Sequence, residues 1–424
     1  MPVTRCDAGS WLASPRSQRR FDLSEFATES AAVTEICARV MHQGDAALRE
    51  LGRRFDGWAP GPGESFDVAE EDRVAVWDRL NPKDIAALAM AAKRITEFHE
   101  RQVAAHSDDG APLTMLTRPV RRAGLYVPGG RAAYPSTVLM TVIPARVAGV
   151  EEIVLATPPR PDGTVSDAIL VAALIAGGVS RVLRVGGAQA IAALAYGTES
   201  IPRVDVVAGP GNIYVALAKR AVFGAVGVDG IAGPTEVVIV ADGEARADFV
   251  AADLAAQLEH DPLASGVLIT DSASLADRVA DELADLERGL ERREIIRQAS
   301  CDIVLVGDME EALRLVDAFA PEHLLIVAAG AEELASRVRN AGAIFVGPYA
   351  TVPLGDYVAG PNHTLPTSGA ARYASPLGVH TFLKRTSVLR LEREDVVALG
   401  DAGVRLAHLE GLGAHAHAIE VRLE

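Results

Sequence analysis

Between residues 123 and 346 the chain alternates short, largely apolar runs rich in Val, Ile and Leu with longer Ala- and Leu-rich stretches of helical length. Ala123–Val127, Glu152–Ala156, Arg181–Val185, Val204–Val207 and Glu236–Val240 read as strands, separated by helices at Ser136–Val147, Asp167–Ala176, Ala188–Tyr196 and Asn212–Val222. A second series follows, with helices at 246–260, 274–287, 309–319 and 331–340 and strands at 266–270, 302–306, 323–327 and 343–346. Runs that stay apolar, instead of alternating, are buried on both faces, the mark of parallel sheets linked by helices. The expectation is α/β: two Rossmann-like, doubly wound domains.

The flanks differ in texture. Residues 1–20 carry Pro, Ser and Arg with little periodicity and read as an N-terminal arm. From Asp22 to about His106 the pattern is helical, with Ile85, Leu88, Ala92, Ile95 and Phe98 on one buried stripe. We expect 21–120 to join 236–375 in a first α/β domain holding the catalytic motifs. Residues 121–235, with the glycine turns, form a second, and 376–424 a C-terminal segment. Beyond Phe345 about thirty residues are rich in Gly and Pro before short strands and a C-terminal helix resume; a loop that long is usually functional.

Composition narrows the function classes. A chain of 424 residues that is 49% hydrophobic is a globular protein of two or three domains. Its net charge of −16 argues against nucleic acid, which needs a basic face. Arg16, Arg19 and Arg20 read as a solvated basic cluster. Three scattered cysteines, Cys6, Cys37 and Cys301, suit neither a disulfide framework nor a thiolate metal cage. The N-terminus lacks an apolar signal core, and no apolar run reaches membrane-spanning length. A cytoplasmic protein with no membrane or nucleic-acid partner is expected.

Against this background the histidines stand out: seven of the ten lie at or after position 260. Gln257-Leu258-Glu259-His260, Glu322-His323, Asp356 with His363, and Glu410 with His415 are polar islands in apolar surroundings. Imidazole, carboxamide and carboxylate bind zinc and move protons near neutral pH. On a helix Asp253, Gln257 and His260 share a face, so Gln257 and His260 can reach one ion; a histidine offsetting the helix dipole is the plain alternative. Glu322-His323 supplies two proton-transfer groups with separately tunable pKa values, although a surface Glu-His pair is common. Two prolines and two glycines pin the loop carrying Asp356 and His363, which is also how an ordinary ordered turn is built. His415 and His417, two apart on a helix, diverge, so only one can face a given ion. Gly186-Gly187 and Gly209-Pro210-Gly211 each follow a strand and open a helix. They read either as phosphate-approach turns or as plain tight turns, neither being a full dinucleotide fingerprint.

In combination and order these motifs carry more. Gly124-Leu-Tyr-Val-Pro-Gly-Gly130, Gly186-Gly-Ala-Gln-Ala190, Gly209-Pro-Gly-Asn-Ile-Tyr-Val215, Gly233-Pro-Thr-Glu236, Gln257-Leu-Glu-His260, Ala320-Pro-Glu-His-Leu324, Gly342-Ala-Ile-Phe-Val-Gly347, Gly355-Asp-Tyr357 and Glu410-Gly-Leu-Gly-Ala-His415 resemble the histidinol dehydrogenase family. The resemblance covers residues 120–424 strongly and the helical N-terminal region loosely. It implies a zinc enzyme that oxidises L-histidinol to L-histidine with two NAD+ at the end of histidine biosynthesis.

By motif position the resemblance assigns Gln257, His260, Asp356 and His415 to zinc, and Glu322 and His323 to acid–base catalysis. Tyr126, Gln189 and Asn212 match NAD-contacting positions, which places the cofactor in 121–235. Thr235, His363 and Glu410 match substrate-contacting positions, together with His323 and the zinc ligands. Position 235 is often Ser in the family; Thr keeps the hydroxyl and adds a methyl. The family is a homodimer with swapped terminal segments, so Glu410 and His415 would complete the partner's site. His380, His408 and His417 are left without a catalytic part. Three rival readings remain: a related dehydrogenase for another small alcohol such as sulfopropanediol, a zinc hydrolase, and a non-catalytic metal-binding module.

Overall fold

The computed structural model describes residues 3–17, 23–103, 111, 113–129 and 133–424. Arg19, Arg20, Asp22, His106 and Gly130, which entered the expectations above, lie outside the described residues. Strands are numbered in chain order. They begin with β1 (Val3–Asp7), β2 (Leu113–Pro119), β3 (Arg122–Tyr126), β4 (Glu152–Thr157), β5 (Val179–Arg184), β6 (Val206–Ala208) and β7 (Gly227–Val228). There follow β8 (Glu236–Ala241), β9 (Ser265–Thr270), β10 (Ser300–Leu305), β11 (His323–Val327), β12 (Ala343–Val346) and β13 (Leu383–Leu389).

The chain divides into two compact units, Met1–Val103 with Val120–Phe382, and Ala104–Pro119 with Leu383–Glu424. The first holds two parallel sheets, in the orders β5-β4-β3-β6-β7 and β1-β10-β9-β8-β11-β12. Each is doubly wound. The chain proceeds outward from β3 and from β8, then crosses back to start the other half at β6 and at β11, so each sheet has one switch point. Alternate residues feed opposite cores, Ile153 and Leu155 one way and Val154 and Ala156 the other. In the second sheet Val237 and Ile239 oppose Val238 and Val240. Burial on both faces is why these strands lack polar alternation.

Two expectations about the flanks are corrected. Val3–Asp7 is not a loose arm, because it pairs in parallel with β10 from Val3↔Cys301 to Asp7↔Leu305. The helical region does not accompany the 236–375 sheet. Val33, Ile36, Val40, Leu48 and Leu51 of the helix Ala27–Phe55 share a core with Val154, Leu183 and Val207 of the five-stranded sheet. Ala91, Ala92 and Ile95 of the helix Pro82–Glu100 pack on its other face with Leu125 and Leu155. The apolar stripes were legible; which sheet they cover was not.

The second unit pairs β13 with β2 in antiparallel fashion and adds helices Arg393–Leu409 and Gly413–Glu420. Among the described residues no helix is long and apolar enough to cross a membrane.

One buried ion pair holds the first switch point. Lys219 and Asp229, with side chains 4% and 3% exposed, form a salt bridge. Lys219 Nζ also donates to the Gly209 carbonyl at 3.0 Å, while the Gly209 N–H donates to Asp229 at 2.9 Å. Lys219→Met leaves a carboxylate buried without its cation. It is expected to cost about 3–5 kcal/mol of unfolding free energy, to be read by urea denaturation; a change below about 1 kcal/mol contradicts the role given to the pair.

Candidate functional site

A parallel strand returns to the next through a helix running the opposite way, so strand starts and helix ends gather at one edge. That geometry assembles the islands. Thr235 and Glu236 sit at the start of β8, Glu322 and His323 at the start of β11, and Gln257 near the end of the helix Ala247–Leu258. That helix ends at Leu258, not at 260, and His260 lies exposed just beyond it. Asp356 rides on the short helix Val352–Tyr357 of the Gly/Pro-rich loop. Ala320, in a left-handed conformation at φ 57°, turns the chain into Pro321 and the Glu-His pair.

Glu322 is buried and its Oε2 accepts two hydrogen bonds, from the Thr235 hydroxyl at 2.6 Å and the Glu236 N–H at 2.9 Å. Gln257 in turn donates its amide to the Thr235 hydroxyl. Burial pushes the Glu322 carboxyl above its ordinary value, against the pull of His323 and these hydrogen bonds. His323 is buried as well. Its Nδ1 lies 3.1 Å from the Glu236 carbonyl and 3.6 Å from Glu322 Oε2. A carbonyl only accepts, so Nδ1 carries the proton and the lone pair of the neutral ring falls on Nε2. Nε2 is buried and makes no hydrogen bond; Asp356 Oδ1 lies 3.8 Å away, beyond hydrogen-bonding reach. Burial alone would lower the pKa of His323. Glu322 and Asp356 outweigh it and hold the imidazole up to about 9, so the neutral ring with its Nε2 lone pair becomes the main form only as pH rises through that value. Asp356 shows the mirror effect: burial acts upward, but His323, His363 and His260 bring its carboxyl below its ordinary value.

His363 Nδ1 lies 2.9 Å from the Asp356 carbonyl, and Nε2 lies 3.3 Å from the Thr137 hydroxyl. Next to it, Asn362 donates to the Met140 carbonyl at 2.6 Å. Asp253, expected on the face of Gln257 and His260, is instead buried and accepts from the Thr351 hydroxyl, fastening its helix to the segment that carries Asp356. Thus Thr235, Gln257, Glu322, His323, Asp356 and His363 form one connected set, with His260 within electrostatic reach of Asp356. Glu410 and His415 lie exposed in the second unit.

Among the described residues no three His, Cys, Asp or Glu side chains are preassembled around a metal. The donor chemistry nevertheless fits zinc. Gln257 spends its amide nitrogen on Thr235, and among the described residues no hydrogen bond is made through Oε1, the atom a metal would take. The remaining donors are an imidazole and a carboxylate.

The residues expected at NAD line a cavity of about 850 Å³. It collects the segments that follow the carboxyl ends of four strands: Tyr126 and Gly129 after β3, Pro158 and Arg160 after β4, Gly187 and Gln189 after β5, and Asn212 after β6. This is the switch-point crevice where doubly wound sheets hold ligands. Three N–H groups of the glycine turns are already engaged within the chain. The Gly187 N–H donates to the Tyr126 hydroxyl at 3.0 Å, the Gly186 N–H to Asp56 at 3.3 Å, and the Gly209 N–H to Asp229. Asn212 caps its own helix, its Oδ1 accepting from the N–H groups of Tyr214 and Val215 at 3.1 and 3.2 Å. These three bonds fit the tight-turn reading.

Sequence reasoning passed over Glu236, Thr137 and Asp56. Glu236 lay inside a quoted motif. Its carbonyl orients His323, and its buried carboxylate accepts from the Ser368 N–H at 3.0 Å. Thr137 and Asp56 carried no local signal, being defined by partners far along the chain.

Comparison with known proteins leads to a dehydrogenase. The histidinol dehydrogenase family model matches residues 19–423. Histidinol dehydrogenase of Parasynechococcus marenigrum is 48% identical over 415 residues, 96% of this chain and 94% of that protein. The enzyme of Moorella thermoacetica is 48% identical over 402 residues, 93% of this chain and 94% of that protein. The crystal structure of histidinol dehydrogenase from Elizabethkingia anophelis matches with a TM-score of 0.90 at 31% identity, covering 99% of this chain and 98% of that one. The chain belongs to the histidinol dehydrogenase family and is an NAD-dependent oxidoreductase. The hydrolase and metal-module readings fall with that finding.

Close packing supports the pair. A methyl at Gly355 would lie 2.6 Å from the Phe345 ring, which faces His323 at 6.1 Å between centroids. Gly355→Ala is expected to lose about 1–3 kcal/mol of stability through overpacking, with a fall in turnover; an unaltered unfolding midpoint contradicts this packing.

Proposed function

We propose that the chain oxidises L-histidinol through L-histidinal to L-histidine, reducing two NAD+ in succession, with one zinc ion per subunit. The observation that carries the reading is the bare, buried Nε2 of His323, oriented from behind by the Glu236 carbonyl and flanked by Glu322 and Asp356. His323 takes the alcohol proton as the C–H hydride passes to the nicotinamide, and the carbon–oxygen double bond of the aldehyde forms. Glu322 holds Oε2 in its two hydrogen bonds, and its Oε1, which has no hydrogen-bond partner among the described residues, takes a proton from water. The water oxygen adds to the aldehyde carbon, and protonated His323 returns its proton to the carbonyl oxygen, which completes the gem-diol and restores the neutral ring. His323 then removes a proton from the resulting gem-diol as the second NAD+ accepts hydride, leaving the acid. A carboxyl raised by burial is a stronger base for the hydration step. Each proton-transfer group contributes about 10²–10⁴-fold.

Gln257, His260 and Asp356 would hold the zinc, with His415 as the fourth ligand. When bound, zinc supplies a Lewis acid and an anchor for the substrate's imidazole and amine. Thr235, His363 and Glu410 contact the substrate in this reading. Tyr126, Gln189 and Asn212 line the NAD+ cavity, and Thr137 connects the two regions. It lies in the first turn of the helix Pro135–Ala148, which begins just after the cavity-lining Ala133, and touches His363.

Glu410 and His415 are assigned to the partner's site in a homodimer with swapped terminal segments. The apolar surface of the second unit supports association: Leu389, Val397, Leu399, Leu406 and Leu409 are all more than half exposed. The free cysteines fit a cytoplasmic enzyme.

Full conversion is expected to yield two NADH per histidinol by absorbance, whereas one NADH per substrate describes an alcohol dehydrogenase and overturns the four-electron reading. Glu322→Gln should spare oxidation to the aldehyde and slow aldehyde to acid, about 10²-fold or more; equal loss of both half-reactions removes the division of labour. His323→Asn should depress both steps, and near-normal turnover would remove it as the base. For the metal, His260→Asn and His415→Asn should each lower bound zinc by elemental analysis, and undiminished zinc contradicts the ligand set.

A further inference from the structure

The cofactor cavity contains a carboxylate that neither the motifs nor the mechanism uses. Asp56 caps the helix Ala27–Phe55 and lies on the cavity wall beside Tyr126, Gly187 and Gln189. Its Oδ2 accepts from the Gly186 N–H at 3.3 Å and from the Gln189 side-chain amide at 3.2 Å. Its Oδ1 accepts no hydrogen bond among the described residues. Gly186 caps the helix Gly187–Tyr196, which begins at the carboxyl edge of the sheet. In dinucleotide folds such a helix start receives a phosphate. Here the first two N–H groups are already taken, one by a carboxylate and one by the Tyr126 hydroxyl. Space for a side chain is also absent, since a Cβ on Gly186 would lie 2.6 Å from Asp56 Oδ1 and 2.5 Å from Pro158.

A fixed anion with one uncommitted oxygen accepts hydrogen bonds from hydroxyls and repels phosphates, the more so away from bulk water. We infer that Asp56 is the specificity-determining residue of this cavity, accepting a free ribose hydroxyl of NAD+ and rejecting the phosphorylated ribose of NADP+. The inference rests on the reading that this cavity holds the cofactor. The selecting group arrives from the N-terminal helix, not from a strand end, and so lies outside the dinucleotide fingerprint. Discrimination then comes from a repulsive element as well as an attractive one.

The test compares kcat/KM for NAD+ and NADP+ at saturating histidinol in the full-length wild-type enzyme, Asp56→Asn and Gln189→Ala. Asparagine keeps the shape and one acceptor oxygen and removes the charge. The wild type should prefer NAD+, and Asp56→Asn should cut the NAD+ to NADP+ ratio about tenfold or more while leaving the KM for histidinol unchanged. An unchanged ratio with a raised KM for both cofactors makes Asp56 only a prop for Gln189, which overturns the inference and leaves the cavity reading intact. If neither variant moves the KM of either cofactor, the cavity reading itself falls. Should Asp56→Asn fail to fold by thermal melting, Asp56→Glu takes its place. It retains the charge and must keep the NAD+ preference at a raised KM; loss of the preference overturns the inference.

Discussion

The carboxylate of Glu322, buried at the threshold of β11, is the constraint from which the site follows. Taking a charge out of water costs several kcal/mol unless it is hydrogen-bonded and paired. The Thr235 hydroxyl and the Glu236 N–H meet that demand, Glu236 opening the neighbouring strand β8 and Thr235 directly preceding it. The pairing of His323 with Val237 places those donors opposite Glu322. The same register puts the Glu236 carbonyl behind His323 and so chooses which imidazole nitrogen is bare. Gln257 joins through Thr235, and Asp356 faces the free nitrogen. Strand pairing, proton placement and side-chain orientation are thus one problem with one solution.

The two sheets of the first unit present opposite edges. The five-stranded sheet shapes its cavity with loops beyond the carboxyl ends of its strands. The six-stranded sheet gathers its polar set where strands begin. The hydrogen bond between Thr137 and His363 spans these regions, joining a helix on the first sheet to the Gly/Pro-rich loop over the second. The cavity and the polar set thus lie at opposite strand ends, and each sheet keeps its own core on both faces.

Most parallel strands between 152 and 346 were legible because burial on both faces leaves an apolar run, and the Glu-His pair because polar residues are conspicuous in such a run; the two-residue β7 was too short to leave one. What escaped was non-local. The segment Val-Thr-Arg-Cys-Asp has no apolar periodicity and becomes a strand only by pairing with residues almost three hundred positions away. Asp56 and Asp229 serve the glycine turns from distant or unremarkable sequence, leaving no local trace. The N–H groups of Gly186, Gly187 and Gly209 are satisfied internally, and the freedom of Gly209 at φ 118° serves a close approach to the Tyr126 carbonyl. Periodicity reports which face is buried; it is silent about the neighbour that buries it.

The edge strand β1 runs parallel to β11, four places away across the sheet. Its first residue, Val3, is therefore level with the strand starts that carry the Glu-His pair, about 19 Å distant at the usual strand spacing. A change at the start of β1 is therefore a change at the same strand-end edge of this sheet as Glu322 and His323, although most of the chain separates them in sequence.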